Sequence, residues 1–197
     1  MKVLTGFKVT GIENVTRIRG KKIFAVNHIS QLDPLCVRGA LPWFWHGGPM
    51  YYMARPREFY PKEQFGWKHY LYGGIFFALW GAYPVYKGLK DYEKALVLHT
   101  KLLSQGKALC VFPEGKIRED ADKRPHGGVA FLAHATHSPV IPVHITGLEH
   151  FTFKELFSRK RKVEIHFGKP ISYKEMFGDM SITVSDFAKK AAYIMSK

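Results

Sequence analysis

Residues 23–35 read Ile-Phe-Ala-Val-Asn-His-Ile-Ser-Gln-Leu-Asp-Pro-Leu. The four apolar residues at 23–26 are typical of a short, fully buried strand. Asp33 and Pro34 predict the start of a helix, with the aspartate at the N-cap and the proline at the first helical position. The stretch therefore predicts a strand, a turn and a helix in direct succession, the repeating unit of α/β proteins.

His28 and Asp33, five positions apart in this stretch, form a candidate proton-transfer pair. A histidine that contacts an aspartate can take a proton from a hydroxyl group and make it a nucleophile. Residues five apart on a continuous helix lie on different faces, so the contact requires a turn between strand and helix. The alternative is that Asp33 merely caps the helix, and the spacing is compatible with both roles.

Short apolar strands and amphipathic helices continue to alternate along the chain. Helical spacing of apolar residues predicts helices over 89–103, where Gly106 is the stop signal, over 129–136 and over 184–194. Apolar or alternating runs predict strands over 50–54, 108–112, 140–145 and 163–167. This pattern predicts a single α/β domain over 1–197, with a mostly parallel or mixed sheet flanked by helices.

Polar residues follow several of these predicted strands. His28 follows the first strand, Lys87 follows the apolar residues 85–86, and Glu114 and Gly115 follow Phe112. Ligand sites of α/β sheets lie where the strands end. We therefore expect these side chains to share one site.

Composition narrows the class of protein. A chain of 197 residues with 46% hydrophobic content can bury a full core. Cys36 and Cys110 lie far apart, which predicts no structural metal and a reducing compartment. The first residues lack a secretory signal, so we expect a cytoplasmic protein. The uncharged stretch 70–86 contains Gly and Pro and is shorter than the ~20 residues of a spanning helix, and we interpret it as a buried helix followed by a strand.

A formal net charge of +14 indicates an anionic partner such as nucleic acid, anionic lipid or a phosphorylated substrate. From Phe151 to Lys162 an apolar stripe adjoins four consecutive cations, which suits an anionic membrane surface, and the aromatic segment from Trp43 to Trp45 is a second candidate for membrane contact. The alternative is that these aromatic residues pack in the core and the cations are solvated. Nucleic acid is disfavoured because no binding module accompanies the charge.

Four blocks in this sequence occur in the order and approximate spacing of a known family. They are Asn-His-Ile-Ser-Gln-Leu-Asp at 27–33, Gly-Ala-Tyr-Pro-Val-Tyr-Lys at 81–87, Phe-Pro-Glu-Gly at 112–115 and Val-Ile-Pro-Val-His-Ile-Thr-Gly at 140–147. Smaller similarities occur at 53–55 and 167–171. The chain resembles the glycerolipid acyltransferases, typified by 1-acylglycerol-3-phosphate acyltransferase, along nearly its whole length. The resemblance also accounts for Pro142 inside a predicted strand, which general rules place at an edge or a bulge.

The resemblance implies an O-acyltransferase that converts a lysophosphatidate-type lipid to phosphatidate. His28 would be the general base for the acceptor hydroxyl, and Asp33 would hold the imidazole and stabilise its charged form. Acyl-CoA or acyl-carrier protein would be the thioester co-substrate, with no cofactor, no metal and no covalent acyl-enzyme. Backbone amides near the helix start are expected to stabilise the oxyanion.

The family uses the positions of Lys87, Glu114 and Gly115 for the glycerophosphate acceptor. This chain departs from the pattern there. Lys87 stands where the family has an arginine, so the planar guanidinium that suits phosphate is absent at this position. Lys116 and Arg118 stand in a segment where the family has Thr-Arg-Ser. Either these two cations do the work of that arginine or the acceptor differs, and the alternative for them is an ordinary solvated loop.

Two further hypotheses stay open on the sequence. The first is acyl transfer to a different lysophospholipid or to an amine, which the altered third block favours. The second is a non-catalytic basic protein that binds membrane surfaces. For the enzyme, we expect peripheral attachment to the inner face of the membrane through anionic lipid.

Overall fold

The structure, a computed structural model, describes residues 6–42, 49–66, 69, 78–79, 81–86, 91–115, 117, 124–149, 162–178 and 182–197. Within these residues the strands, β1 to β7, are Gly6–Thr10, Lys22–Val26, Met50–Ala54, Ala82–Pro84, Ala108–Val111, Val140–Thr146 and Lys162–Phe167. The α-helices with assigned bounds, α1 to α7, are Glu13–Thr16, Asp33–Ala40, Lys62–Phe65, Tyr92–Ser104, Gly128–Thr136, Tyr173–Phe177 and Val184–Met195. A 3₁₀ turn covers Arg57–Phe59.

All seven strands join one sheet in the order β1-β7-β6-β2-β5-β3-β4. Among the described strand pairs, β6 and β7 run antiparallel and the others are parallel. The mixed α/β sheet predicted from the sequence is therefore confirmed. Strand β2 lies between β5 and β6 and is parallel to both, so the carboxyl ends of these three strands share one edge of the sheet.

Helices cover both faces of the central strands. Side chains alternate between the faces of a strand, and on β2 Phe24 belongs to the core shared with α2, whereas Ile23 belongs to the core shared with α4, α5 and α7. Every residue of β2 is buried. This two-sided burial is why residues 23–26 form a continuous apolar run rather than an alternating one.

Most of the elements predicted from periodicity are present with small shifts at their ends. The helix predicted over 89–103 spans Tyr92–Ser104, and Gly106 follows it with a φ of +79°. Strand β1 and helix α6 were not predicted, because each is a short segment that mixes charged with apolar residues. Of the helix and strand predicted over 70–86, the strand is present as Ala82–Pro84, and most of the helix lies outside the described residues.

Pro142 occupies an interior strand, contrary to the general rule that a strand proline lies at an edge or a bulge. Pro139 and Val143 direct their carbonyl oxygens to β2, where they accept from the Ile23 and Asn27 amides. Pro142 has the opposite parity and faces the β7 side, where its carbonyl oxygen accepts from Gly168. The ladder between β6 and β7 begins at Val143. The position of the missing N–H of Pro142 therefore faces away from β2, and its absence costs no hydrogen bond between β6 and β2.

Candidate active site

The turn between β2 and α2 brings His28 and Asp33 into contact. His28 Nδ1 lies 2.8 Å from Asp33 Oδ2, and the Asp33 side chain is fully buried whereas 20% of the His28 side chain is exposed. Because an ionised carboxylate can only accept, Nδ1 carries the proton of this hydrogen bond, and Nε2 keeps a lone pair that can take another proton. The pair has the arrangement of a general base with its orienting partner.

Backbone amides of the turn also hold the Asp33 carboxylate. The N–H groups of Ile29 and Ser30 donate to the same Oδ2 atom at 2.8 and 2.9 Å. Leu32 is the N-cap of α2, without a side-chain cap, and Asp33 is the first helical residue. The prediction that Asp33 is the N-cap is therefore wrong. Its carboxylate binds amides that precede the helix, because the turn folds back and places these donors beside it.

Backbone amides that were expected to stabilise an oxyanion already donate hydrogen bonds within the same turn. Besides Ile29 and Ser30, the Leu32 amide donates to Ser30 Oγ at 3.3 Å, and the Asp33 amide donates to the Ser30 carbonyl at 3.2 Å. All four amides are committed within the turn. The expectation that amides near the helix start bind the oxyanion fails for these four.

Phe112 forms an aromatic wall against the imidazole. Its ring centroid lies 4.4 Å from that of His28, with 29° between the ring planes. Phe112 directly follows β5, which is the neighbour of β2, so the stack joins the ends of two adjacent strands. Together with the hydrogen bond to Asp33, this stacking restricts the orientation of the His28 ring.

The loop after Phe112 carries Glu114 and Gly115. Gly115 donates its N–H to the Phe112 carbonyl at 3.0 Å and has a φ of +67°, a left-handed conformation that favours glycine. Arg55, just after β3, donates from Nη2 to the Gly115 carbonyl at 2.8 Å. Glu114 is half-buried, and its Oε2 atom is fully buried. The loop is thus anchored to the end of a third strand.

Comparison with known proteins identifies the family. The sequence model of the acyltransferase family, described as Acyltransferase, matches residues 6–146, well over half of the chain. This chain belongs to the acyltransferase family. The family predicted from the four sequence blocks is confirmed, and the acyltransferase is an enzyme rather than a non-catalytic binder.

A solved structure shares the fold of this acyltransferase. It is the crystal structure of the 1-acyl-sn-glycerophosphate (LPA) acyltransferase PlsC from Thermotoga maritima, with a TM-score of 0.63 and 21% sequence identity. The match covers 98% of this chain and 70% of that chain. No curated protein sequence matches this chain at a significant level.

The two cysteines of the acyltransferase are buried near Asp33 and are poor nucleophiles. Burial raises the pKa of the Cys36 thiol to about 12, and the nearby Asp33 charge adds to the effect. Burial and Asp33 also raise the pKa of the fully buried Cys110 well above its usual value. Both side chains therefore stay protonated at neutral pH and serve as packing, since the thiolate is the reactive form.

The structure places four of the predicted site residues near one edge of the sheet. His28 and Asp33 are in contact, and Glu114 and Gly115 follow the neighbouring strand. Lys87, Lys116 and Arg118 lie outside the described residues, as do residues 43–45 and 151–161. Within the described part of the chain, no group of three or more His, Cys, Asp or Glu side chains is placed to hold a metal ion.

Three residues with specific contacts at this edge had no role in the sequence prediction. Asn27, Arg55 and Phe112 all lie within the segments that resemble the family, and that membership was the signal available. Their partners lie on segments that are distant in the sequence, as the hydrogen bond between Arg55 and Gly115 across 60 positions illustrates. A pattern of neighbouring residues does not reveal such partners.

Proposed function

We propose that this acyltransferase moves a fatty acyl group from an acyl thioester to the hydroxyl of a lysophosphatidate-type lipid, forming phosphatidate. The observation that carries the proposal is the 2.8 Å contact between His28 Nδ1 and the buried Asp33 carboxylate. The fold shared with an LPA acyltransferase supports the same reaction.

His28 is the general base of the proposed mechanism. Nε2 takes the proton of the acceptor hydroxyl while that oxygen attacks the thioester carbonyl, and a tetrahedral oxyanion forms. When this intermediate collapses, the carbon–sulfur bond breaks, and the leaving thiolate takes the proton back from the imidazolium. Asp33 keeps the Nδ1 proton in place and stabilises the imidazolium in between. The reaction needs the acyl thioester, from acyl-CoA or acyl-carrier protein, and no further cofactor.

The acceptor phosphate is proposed to bind beside the loop at 113–115. Gly115 lacks a Cβ, which leaves its backbone open to close approach. The cationic side chains of Lys87, Lys116 and Arg118 would pair with the phosphate, and Glu114 would accept from a glycerol hydroxyl. Glu114 and Gly115 follow β5, which pairs with β2, the strand that leads into His28, and this supports a shared site.

One sequence feature favours a second candidate for the acyl acceptor. Lys116 and Arg118 replace the Thr-Arg-Ser order of the resembling family, which changes the cations available to a phosphate. The second candidate is acyl transfer to a different lysophospholipid or to an amine. The reaction class and the role of His28 are the same for both candidates.

The acyltransferase is proposed to act as a peripheral protein at the inner face of the membrane, where its lipid acceptor resides. In the described part of the chain no helix combines the length and apolar character needed to cross a bilayer. The +14 charge favours attraction to anionic lipid. The residues from Trp43 to Trp45 and from Phe151 to Lys162 are the proposed contacts.

Purified enzyme should be offered acyl-CoA and acyl-carrier protein as donors, with lysophosphatidate, other lysophospholipids and an amine as acceptors, and the products identified by mass spectrometry. We expect phosphatidate, and a kcat that falls by ~10²- to 10⁴-fold in His28→Ala. His166→Ala is the matched control, since His166 is an exposed histidine on β7 and should leave kcat unchanged.

Each outcome of this experiment is decisive. A folded His28→Ala variant with near-normal rates would refute the proposed base. A product formed only from another acceptor would replace lysophosphatidate by the second candidate while leaving the role of His28 intact.

A further inference from the structure

Strand β2 ends earlier than its neighbour β6. The two strands pair in parallel up to Val26 and Val143, and the Asn27 amide still donates to the Val143 carbonyl at 3.4 Å. At His28 the chain leaves the sheet for the turn, whereas β6 continues to Thr146. The end of β6 therefore runs past the last residue of its partner.

Because β2 ends first, one residue of β6 has no backbone partner on the β2 side. Pro139 and Val143 direct their carbonyls to β2, and Ile145, two positions later, has the same parity. Its N–H and C=O therefore point to the side where β2 no longer has a residue. Ile145 is 1% exposed, so water does not satisfy these groups. Buried backbone groups without partners are strongly unfavourable.

The side chain of Asn27 supplies both missing partners. Its Nδ2 donates to the Ile145 carbonyl at 2.9 Å, and its Oδ1 accepts from the Ile145 N–H at 2.7 Å. A carboxamide presents an N–H donor and a carbonyl acceptor side by side, like a peptide group. Aspartate has the same shape but no donor when ionised, and alanine has neither group. Asn27 thus replaces the next residue of the β2 backbone.

We propose that Asn27 is a positioning residue for catalysis, which lets the chain leave the sheet at the residue where the base is needed. The inference rests on the proposed role of His28. The two hydrogen bonds fix the residue before His28 to β6, while Asp33 and Phe112 hold the imidazole from the turn and from β5. A loosened Asn27 shifts the whole unit relative to the bound substrates.

The test compares Asn27→Ala and Asn27→Asp with Asn14→Ala. Asn14 is a matched control because its Nδ2 also donates to a strand carbonyl, that of Phe167 at 2.9 Å, at the end of β7. Urea unfolding gives the stability of each variant, and steady-state kinetics gives kcat and the KM for donor and acceptor. His28→Ala is measured in parallel.

We expect both Asn27 variants to lower kcat by ~10- to 100-fold with little change in KM, because a displacement of about 1 Å can cost about 10²-fold in rate. Asn14→Ala should lower the urea midpoint and keep the wild-type kcat. Asn27→Asp keeps the shape, loses the donor and adds a negative charge opposite the Ile145 carbonyl, so it also breaks the pair and decides the matter if Asn27→Ala does not fold.

The inference is overturned if a folded Asn27 variant keeps the wild-type kcat, or if Asn14→Ala at equal loss of stability loses as much kcat. The failure of the underlying function looks different. In that case His28→Ala itself retains activity, whatever the Asn27 variants do.

Discussion

Asp33 illustrates how one residue joins folding to the proposed chemistry. Its buried Oδ2 atom accepts from the imidazole of His28 and from two backbone amides of the same turn. The amides keep the carboxylate in place, and the carboxylate keeps a proton on Nδ1. The folding role and the orienting role are thus carried by one atom, and they can be separated by a substitution that retains the shape.

Asp33→Asn is expected to fold and to lose most of its activity. The amide oxygen of asparagine can still accept from the Ile29 and Ser30 amides, but a neutral side chain does not stabilise the imidazolium. We expect kcat to fall by ~10²- to 10⁴-fold, as for a base that loses its orienting carboxylate. Circular dichroism establishes the fold, and kcat is measured at saturating substrates.

The control for this substitution is Asp91→Asn. Asp91 is the N-cap of α4 and accepts from the Glu93 and Lys94 amides, and asparagine caps a helix equally well. Its kcat should match that of the wild type. Wild-type kcat in Asp33→Asn would contradict the orienting role and leave Asp33 a purely structural residue.

At the scale of single residues, the sequence predicted the pair but not its geometry. The spacing of His28 and Asp33 required a turn for contact, and that turn is present. The helix-cap alternative is resolved by the hydrogen bonds to Ile29 and Ser30. These bonds depend on the path of the backbone between the two residues, which residue types alone do not determine.

At the scale of secondary structure, helix α4 contains a fully buried histidine. His99 is among the positions whose three- and four-residue spacing predicted the helix, and it is 0% exposed. Burial lowers the pKa of His99 to about 4, and the nearby Tyr83 backbone offsets only part of this effect. The helix therefore packs around a neutral imidazole.

This burial makes stability depend on pH. The folded-state pKa of about 4 is below the ordinary value of 6.5, so the unfolded chain binds a proton first as the pH falls. The contribution of neutral His99 to the free energy of unfolding is complete above pH ~6.5 and is lost progressively toward pH ~4. Between pH 7 and pH 5 the wild type should lose about 2 kcal/mol of unfolding free energy through this one group.

In His99→Leu that loss is absent, so the variant should have a flatter stability profile in urea unfolding at pH 7 and pH 5. His137→Asn is the control, because His137 is exposed at the C-cap of α5, where asparagine also adopts the left-handed conformation, and its removal should retain the wild-type slope. An unchanged pH slope in His99→Leu would refute the burial of a neutral imidazole in α4.

The elements themselves were largely predictable, because apolar spacing reflects the burial of one or both faces. The run at 23–26 gave a buried strand, and the steps of three and four from Leu89 gave the helix Tyr92–Ser104. Strand β1 and helix α6 are short segments that mix charged with apolar residues, so they gave no such signal. Pro142 needed the tertiary structure, since only the strand register shows that the position of its missing N–H faces away from β2.

At the scale of the whole molecule, the excess of positive charge is the dominant surface property. The chain has thirty Lys and Arg residues and sixteen Asp and Glu residues. Attraction to anionic lipid decreases with salt, because the screening length falls from ~10 Å at 0.1 M to ~3 Å at 1 M. Apolar insertion of aromatic side chains is insensitive to this screening. The proposed membrane contact therefore has two separable components.

We expect the enzyme to sediment with vesicles that contain anionic phospholipid, and to sediment less with purely zwitterionic vesicles. Binding should weaken as salt rises, and the fraction that persists at high salt measures apolar insertion. Trp43→Ala should reduce the salt-resistant part, and Lys160→Glu the salt-sensitive part. Equal binding to both kinds of vesicle would contradict the electrostatic contact.

The sequence by itself determined the candidate base and its carboxylate, the alternation of strands and helices, and the family. These features can be read from residue types and their spacing along the chain, because local steric and burial preferences determine that pattern. The tertiary structure decided the strand order, which puts β2 between β5 and β6 although 118 positions separate Asn27 from Ile145. It also decided that Asp33 binds the turn before its helix, and that Asn27, Arg55 and Phe112 complete the edge around His28. The contacts of Asn27, Arg55 and Phe112 join distant segments, and they exist only once the sheet has formed, because they depend on the register of neighbouring strands.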